Sequence, residues 1–562
     1  MRSRPKARVA LVAVDTRWMD PVGTFLSFSY GIETLRASLR AQAEFDDDEV
    51  LLLDLSTPDP EQFLARLREF RPTLVGLSLY IWSLEVFAEV VTQLRRFDPG
   101  IVIVAGGPAA RRSVLDLPPH RRLRDQLDAV VPGEGEAIIR ALVREHHAPG
   151  WATRIPGLDL PGRGLWRSTG PAERPDIERF PSPYQLGLAP PGKTGYVETF
   201  RGCPIHCSFC QWGEQKSDRV HSEDYLRRHL EGLAKADVTN AFFLDAAFNL
   251  SPRAFRNLVA AERDVGALRR LAVHGHLYPT YLRDEHLEFF AGCGQLQASI
   301  GIQSFDPEVL HGLGRPFDLD RFERVLTLMQ GRLPVDVELI FGLPGDNPRS
   351  FRKTLERSLA LADTVKIFRC LVLPDALLDR SDPSHAIDFD PQTFALRSCA
   401  GWTPADLERE WARVQALAQT MHRPVVNDDW VGFTTHAQRV VEADERPLSI
   451  ESARERGAVQ FPIDRIAQLR QTIGRRVSGW RLRNVRSQVD GLHFDLDGPE
   501  GNVVLEVISR VEGQPSFTER DGLAYSHRGP VGRAQAPLLR KLIDIVHPDA
   551  LPIVRASGPG GT

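Results

Sequence analysis

Cys203, Cys207 and Cys210 stand in a C-x3-C-x2-C run, RGCPIHCSFCQW over residues 201–212, directly after the strand-like stretch TGYVETF. Three thiolates on one short loop can bind three irons of a cubane cluster, whereas clusters held by protein alone normally use four cysteines. One iron is then left open, free to chelate a small molecule and pass it an electron. The competing chemistry is a structural zinc site, which takes four closed ligands and would need His206 or a distant cysteine as the fourth. No second cysteine pair lies nearby, and Cys293, Cys370 and Cys399 read as buried small apolar residues. Six cysteines in 562 residues are too sparse for a disulfide framework, and the crowding of half of them into one loop points to metal in a reducing compartment.

A second group with chemical potential belongs to residues 1–148. Short apolar stretches there (ARVALVAV, EVLLLDL, TLVGLSLY, IVIVAGGP) alternate with amphipathic helices expected at 30–42, 60–70 and 83–96. Strands that are apolar throughout belong to a parallel sheet covered on both faces, as in a doubly wound, Rossmann-like domain. Open sheets of this kind place their ligand crevice at the strand C-termini. Those ends carry Ser78, Tyr80 and Trp82, then Gly106, Gly107 and Pro108, then Gly133, Glu134, Gly135 and Glu136. Taken alone, the Gly-Gly-Pro run is equally a strand-to-helix turn, and Trp82 is equally core packing.

Residues 149–192 are rich in Pro and Gly without periodicity and read as a linker laid over the surface. A second alternating series runs over 193–400, from TGYVETF through AFFLDAAF, LAVHGHL, LQASIGIQSF, VDVELIFGLPG and TVKIFRCLVLP. Six β–α units fit a barrel or partial barrel with its chemistry at the C-terminal strand ends, which is where the cysteine loop falls. Over 401–562 the pattern changes to a helix at 404–421, a loop-rich stretch, the antiparallel-type strands GLHFDLD, NVVLEVISRV and LAYSHRG, and a last helix at 536–546. The expected fold class is α/β: a doubly wound N-terminal domain, a partial β/α barrel, and a C-terminal α+β domain.

Composition narrows the function. With 42% apolar and 26% charged residues the chain is neither disordered nor fibrous. A net charge of −4 offers no basic excess for a phosphate backbone or an anionic lipid, so nucleic acid is disfavoured as a partner. The basic start followed by an apolar run imitates a signal peptide, but the run stops at Asp15, too short for one. No stretch approaches the roughly 20 apolar residues of a membrane-spanning helix. The expectation is a cytoplasmic protein without membrane contact.

A C-x3-C-x2-C loop after the first strand of a β/α series resembles the radical S-adenosylmethionine (SAM) enzymes. With GGP and GEGE in the domain before it, and GIQSF (301–305) and ELIFGLPGD (338–346) after it, residues 8–400 resemble the cobalamin-binding branch of that superfamily. The resemblance implies that Cys203, Cys207 and Cys210 hold a [4Fe–4S] cluster whose open iron takes the amino and carboxylate groups of SAM. It implies that Phe209 and Trp212 lie by the adenine, that Gln303, Ser304 and Glu338 reach the ribose or methionine moiety, and that the strand ends from Ser78 to Gly135 form the cobalamin crevice. The bland readings stand beside these: Gln303 and Ser304 as strand-end backbone partners, Glu338 as a barrel-interior ion pair, His274 and His276 as packing rather than substrate-pocket residues. Two departures are notable. Asp245 stands where many superfamily members have a Gly-Gly-Glu turn for the methionyl amine, and the early loop DTRWMDP (15–21) lacks the His that ligates cobalt in D-x-H-x-x-G modules. Cobalamin would then be held base-off, its lower face against Tyr80 or Trp82.

By the same resemblance the activity is methyl transfer. One SAM methylates cobalamin, and a second is cleaved at the cluster to a 5′-deoxyadenosyl radical, which takes a hydrogen from an unactivated carbon of a natural-product intermediate or peptide before the methyl arrives. An electron donor such as flavodoxin or ferredoxin is implied. Some relatives use cobalamin for ring contraction or cyclisation without methylation, and no motif separates the outcomes. A non-catalytic sensor would need an output module, and no basic DNA-reading helix is evident. The Arg-rich run 475–486 is either a carboxylate site or solvated surface.

Overall fold

The computed structural model describes residues 5–435 and 469–555, except 15–27, 56–57, 163–164, 215–218, 239, 294, 330–334, 470–471, 474–475, 478, 489–490, 500, 510–517, 521–522 and 529–535. The early loop 15–21 and part of the run 475–486 therefore lie outside the described residues. The chain divides into two compact units, one of 1–267, 273–289 and 297–437, the other of 268–272, 290–296 and 438–562.

In the first unit β1 (Arg8–Val14), β2 (Glu49–Leu55), β3 (Leu74–Ser78), β4 (Val102–Gly106) and β5 (Ala129–Val130) make a parallel sheet in the order β2-β1-β3-β4-β5. The winding reverses between β1 and β3, the position where such sheets open a crevice. Along β1, Ala10, Val12 and Val14 enter one core with the helices Pro60–Phe70 and Leu84–Phe97. Val9, Leu11 and Ala13 enter another with the helices Tyr30–Arg40 and Glu136–Glu145. Cover on both faces is why the strand is apolar at every position. Local signals set the helix ends: Asp59 accepts from the Glu61 N–H ahead of Pro60, and Arg71 stops the same helix in a left-handed conformation at φ 50°.

Residues 149–192, expected as a surface linker, are partly built into this sheet. β6 (Asp159–Pro161) pairs antiparallel with β5, and β7 (Trp166–Ser168) with β6. Ile155, Leu158, Ile177 and Tyr184 are buried, and Arg112 Nε holds Asp159 at 2.8 Å. These anchors are too widely spaced to produce a period of 2 or 3.6, so the Pro and Gly between them dominate the local pattern.

The second sheet of this unit follows the order β8 (Gly195–Val197), β11 (Asn240–Phe243), β12 (Ala272–Leu277), β13 (Gln295–Gln303), β14 (Val335–Phe341), β15 (Thr364–Arg369), then β19 (Trp430–Thr434) and β18 (His422–Val426). β8 runs parallel to β11, and β14 parallel to both β13 and β15, while β19 and β18 continue the sheet antiparallel. This is an open, partial barrel. It runs on to residue 434 rather than ending near 400, because a hairpin after the helix Pro404–Gln419 extends its edge. Two small ladders complete the unit, β9 (Phe200–Arg201) with β10 (Arg219–Val220), and β16 (Asp388–Phe389) with β17 (Leu396–Ser398).

Within 438–562 the second unit is built on an antiparallel sheet of β20 (Arg481–Gln488), β21 (Gly491–Gly498), β22 (Gly501–Ser509), β23 (Thr518–Arg520) and β24 (Leu523–Arg528), ordered β20-β21-β22-β24-β23. The helix Ala536–Arg555 packs on it through Leu539, Leu542 and Ile543, against Phe494, Leu505 and Tyr525. Among the described residues no helix is long and apolar enough to cross a membrane.

A buried histidine ties the connecting segment to the barrel. His229, on the helix Glu223–Lys235, has Nε2 2.9 Å from the Tyr196 carbonyl oxygen and Nδ1 2.8 Å from Ser182 Oγ. The carbonyl can only accept, so Nε2 carries the proton and Nδ1 accepts from the hydroxyl, which is the neutral ring. Burial depresses His229 to about 4. Its folded value lies below the unfolded one, so its contribution is complete above about pH 6.5 and is lost as the pH falls toward 4, by about 3 kcal/mol at most. Thermal melts of His229→Gln should be less stable than the parent at neutral pH but show a shallower acid slope; equal slopes between pH 6.5 and 4.5 would refute the assignment.

Candidate functional site

The cysteine loop springs from the β9–β10 ladder, where Arg201 faces Arg219 and Phe200 faces Val220. Gly202 leaves β9 at φ 95°, a conformation that a side chain would strain. Beyond it Cys203 and Cys207 are buried and Cys210 is half-buried. The Ile205 N–H donates to Cys203 Sγ at 3.4 Å, and the Ser208 N–H to the Leu313 carbonyl at 2.9 Å. Two arginines from far along the chain close on the loop. Arg315, only 9% exposed, has Nη1 3.7 Å from Cys207 Sγ and its guanidinium 4.7 Å from the Tyr278 ring centre. Arg380 donates through Nη2 to the carbonyls of Cys207, at 3.1 Å, and Cys210. Burial pushes the Cys203 thiol up to about 11, with Cys210 and Cys207 adding to the rise, and burial raises Cys210 as well.

Asp245 roots this loop. Its carboxylate, 2% exposed, accepts from the Thr199 N–H (2.8 Å), the Phe200 N–H (3.1 Å) and the Thr199 hydroxyl (2.9 Å), fixing the turn from β8 into β9. The position that many superfamily members give to a methionyl-amine contact is thus occupied by a carboxylate already engaged in holding backbone.

A cavity of about 400 Å³ lies in the first unit, between the carboxyl edge of the N-terminal sheet and the root of the cysteine loop. Its depth is apolar, formed by Leu11, Leu74, Leu77 and Val104 of the sheet and by Ile32, Leu35, Ile138, Ile139 and Leu142 of the helices on that face. Its mouth holds Ser78, Tyr80, Gly106, Gly107, Gly133, Glu134, Gly135 and Glu136 from the first domain, and Glu198, Arg201, Gly202, Gln211 and Trp212 from the barrel side. The glycines differ in what they do. Gly107 sits at φ 95° with the Leu79 backbone 2.7 Å from where a Cβ would stand, so the fold itself requires it. At Gly133 a Cβ would meet no protein atom within 4 Å, and at Gly106 only Val131 at ordinary contact distance. Those two glycines keep open a space that a side chain would take.

The other residues singled out in the sequence fall into different places. Trp82 and Pro108 do not line the cavity; Trp82 stacks on Tyr80 with ring centres 4.4 Å apart. Phe209 is buried within its loop, while Trp212, 49% exposed, faces the cavity. Ser304 is fully buried and accepts from the Asp306 N–H at 3.1 Å, a turn role. Gln303 is strained at φ 72°, where the β13–β14 register slips, and its Oε1 is buried without a hydrogen-bond partner among the described residues. Such strain costs about 1–3 kcal/mol and, with an unpaired amide oxygen, marks a position shaped for something other than packing. Glu338 lies 3.5 Å from His276 Nε2 and 3.9 Å from Lys366 Nζ; Lys366 also reaches Asp336 at 3.5 Å. Burial raises the Glu338 carboxyl, but His276 and Lys366 outweigh it and hold it at about 2. His274 is buried against Phe242, their rings stacked 5.0 Å apart. Sequence reasoning missed Glu198, Arg201, Gln211, Arg315 and Arg380. Arg201 and Gln211 flank the cysteines and were open to it, whereas Arg315 and Arg380 meet the loop across 108 and 170 residues with no local signal.

Asp245→Ala would leave two buried N–H groups unpaired, at about 1–3 kcal/mol each. The Ala variant should melt earlier and take up less iron on anaerobic reconstitution, and Asp245→Asn, which keeps an acceptor, should lose less. Undiminished iron uptake in the Ala variant would show that the loop is rooted elsewhere.

Residues 25–143 match the B12 binding domain family, and residues 197–357 match the radical SAM superfamily. The chain is 30% identical over 407 residues to the 2-(S-pantetheinyl)-carbapenam-3-carboxylate methyltransferase of Streptantibioticus cattleyicolor, covering 66% of this chain and 56% of that protein. It is 28% identical over 374 residues to the cobalamin-dependent radical SAM methyltransferase TokK of Streptomyces tokunonensis, covering 61% of this chain and 53% of the relative. The chain thus spans about half the length of these curated relatives. In fold it is similar to the radical SAM methyltransferase TsrM of Kitasatospora setae, with a TM-score of 0.54 at 21% identity over 76% of this chain and 86% of the other. The chain thus carries a B12 binding domain followed by a radical SAM domain, in the order and at the positions of the two sheets described above.

Proposed function

We propose that this chain is a cobalamin-dependent radical SAM C-methyltransferase, acting on an unactivated carbon of a natural-product intermediate or peptide. The observation that carries the reading is that one cavity is lined both by the strand ends of the B12-binding domain and by the residues flanking the cysteine loop. In this reading it works in the cytoplasm with a low-potential electron donor such as flavodoxin or ferredoxin. Kinship with methyltransferases among the relatives favours methylation over rearrangement.

The residues present fit the two groups. Cys203, Cys207 and Cys210 would bind iron as thiolates, releasing their protons to solvent, and the Arg315 guanidinium beside Cys207 would offset the negative charge that three thiolates bring. Among the described residues no three His, Cys, Asp or Glu side chains are grouped as ligands of a single ion, and a cubane, which takes one thiolate per iron, asks for no such convergence. The glycine-lined mouth and apolar depth suit a flat macrocycle with a tail. When bound, the cluster supplies an electron to SAM and the corrin cobalt carries the methyl group. Cys203, Cys207 and Cys210 would hold the cluster, with Gln303 and Glu338 as candidates for SAM. Ser78, Tyr80, Gly106 and Gly133 would hold the corrin, with Trp82 backing Tyr80. Trp212 at the shared mouth excludes water from the space between them.

Anaerobically reconstituted protein should bind about four irons per chain. Cys203, Cys207 and Cys210 changed together to Ala should lose the iron and all 5′-deoxyadenosine formation. With an accepted substrate, S-adenosylhomocysteine and 5′-deoxyadenosine should appear in equal amounts, one of each per methyl. A product of unchanged carbon count accompanied by 5′-deoxyadenosine would replace methylation with rearrangement.

Gly133→Leu adds a Cβ where no protein atom lies within 4 Å and fills part of the mouth, so it should weaken cobalamin retention by about tenfold or more while leaving the melting temperature within a few degrees of the parent. Unchanged retention would move the corrin out of this crevice.

A further inference from the structure

Two sets of ion pairs and hydrogen bonds tie the cysteine loop to the segments after β4 and β5 of the B12-binding domain, one set at the loop's root and one at its far end. At the root, Arg201 pairs with Glu136 at 2.6 Å and reaches Glu134 at 3.6 Å, while Arg219, facing it across the ladder, donates to Glu134 at 2.9 Å. Glu134 lies in the loop after β5 and Glu136 opens the helix that follows it. At the far end, Arg380 holds the carbonyls of Cys207 and Cys210. Arg380 ends a short segment, 375–380, whose other end is tied to the loop after β4. Arg111 pairs with Asp375, and Ser113 Oγ donates to Asp379 at 3.2 Å, while Asp379 also accepts from the Asp375 N–H at 2.7 Å. Arg111 in turn reaches back to the Gly107 carbonyl at 3.3 Å.

These are not ordinary surface pairs. Arg111 and Asp375 side chains are 16% and 19% exposed, and Arg201 and Glu136 are 20% and 8% exposed, so solvent screens them little. Asp375 also takes a left-handed φ of 53°, which Asp tolerates better than most side chains, and this strain accompanies the pairing of its carboxylate with Arg111. The loops after β4 and β5 both line the crevice, beside Ser78 and Tyr80 from the end of β3.

We infer that Arg201 and the Arg111–Asp375 pair are positioning groups that lock the cysteine loop and the segments after β4 and β5 into one frame, so that the spacing between corrin and cluster is set by the protein before either cofactor or substrate arrives. The inference rests on the proposed function for what the frame holds, but the frame consists of this chain's residues alone. A fixed spacing matters for chemistry shared between two centres, because small misplacements of reacting groups cost large factors in rate.

The test uses the full chain. In cofactor-free protein, amide hydrogen exchange is compared for the parent, Asp375→Asn, Arg111→Gln and the double variant. Asp375→Asn keeps a residue that accepts the left-handed backbone. Each single change should speed exchange at Ser208 and Cys210 about tenfold while leaving Val9, Leu11 and Val12 of the central strand unchanged, and the double variant should be no faster than either single one. In reconstituted protein the magnetic interaction between cob(II)alamin and the reduced cluster should be narrowly distributed in the parent and broadened in Asp375→Asn, at unchanged iron and cobalt content. Unchanged exchange at Ser208 and Cys210, acceleration spread evenly over the whole unit, or additive effects in the double variant would each overturn the frame. A parent protein that takes up no cobalt or iron would defeat the proposed function instead, and the exchange result would still decide the frame.

Discussion

Arg201 is the residue on which the architecture of the site turns. Its guanidinium is four-fifths buried and must be neutralised where it stands, because breaking a buried charge pair costs several kcal/mol. Glu198, at 3.0 Å, comes from its own turn, but Glu134 and Glu136 come from the other domain. Glu198 takes only the Nε–H, so Nη1 and Nη2 find their carboxylates where the segment after β5 lies against the strand that feeds the cysteine loop. That one electrostatic requirement brings the carboxyl edge of the first sheet to the carboxyl edge of the barrel, and the cavity lies where they meet.

Parallel strands make this economical. Every strand of such a sheet delivers its C-terminal residues to the same edge, so a ligand crevice and a cluster loop arise at equivalent places in two unrelated sheets. The depth of the cavity is set by the helices Tyr30–Arg40 and Glu136–Glu145 standing off the sheet, and the mouth by glycines and charged side chains. An apolar interior with a polar rim orients an amphipathic ligand without needing many specific contacts.

Within the barrel, satisfaction of polar atoms separates working positions from scaffolding. Asp245 and Ser304 spend acceptors on nearby backbone, which gives each a structural task. Glu338 is held between Lys366 on the adjacent β15 and His276 on β12, two strands away, an ionised group fixed in place from both sides. Among the described residues Gln303 alone combines backbone strain with a buried, unpaired amide oxygen, and it stands on the same strand as Gly301, whose carbonyl takes a hydrogen bond from Arg315.

What the amino-acid sequence determined by itself is whatever rests on neighbouring residues. The cysteine loop is legible because the spacing of three thiols is its chemistry. The parallel strands are legible because burial on both faces leaves an apolar run, and the GGP and GEGE turns because they sit where those runs end. Tertiary structure alone decided the rest. Tyr80 faces the cavity and Trp82 backs it, although both end the same strand, since only the packing of one ring on the other chooses between them. The segment 149–192 joins a sheet through β6 and β7, and the barrel gains β18 and β19, because edge pairing uses backbone groups that every sequence carries. Arg315 and Arg380 reach the cysteines from later strand ends, because a charge attracts across space and leaves no period in the chain to announce its partner.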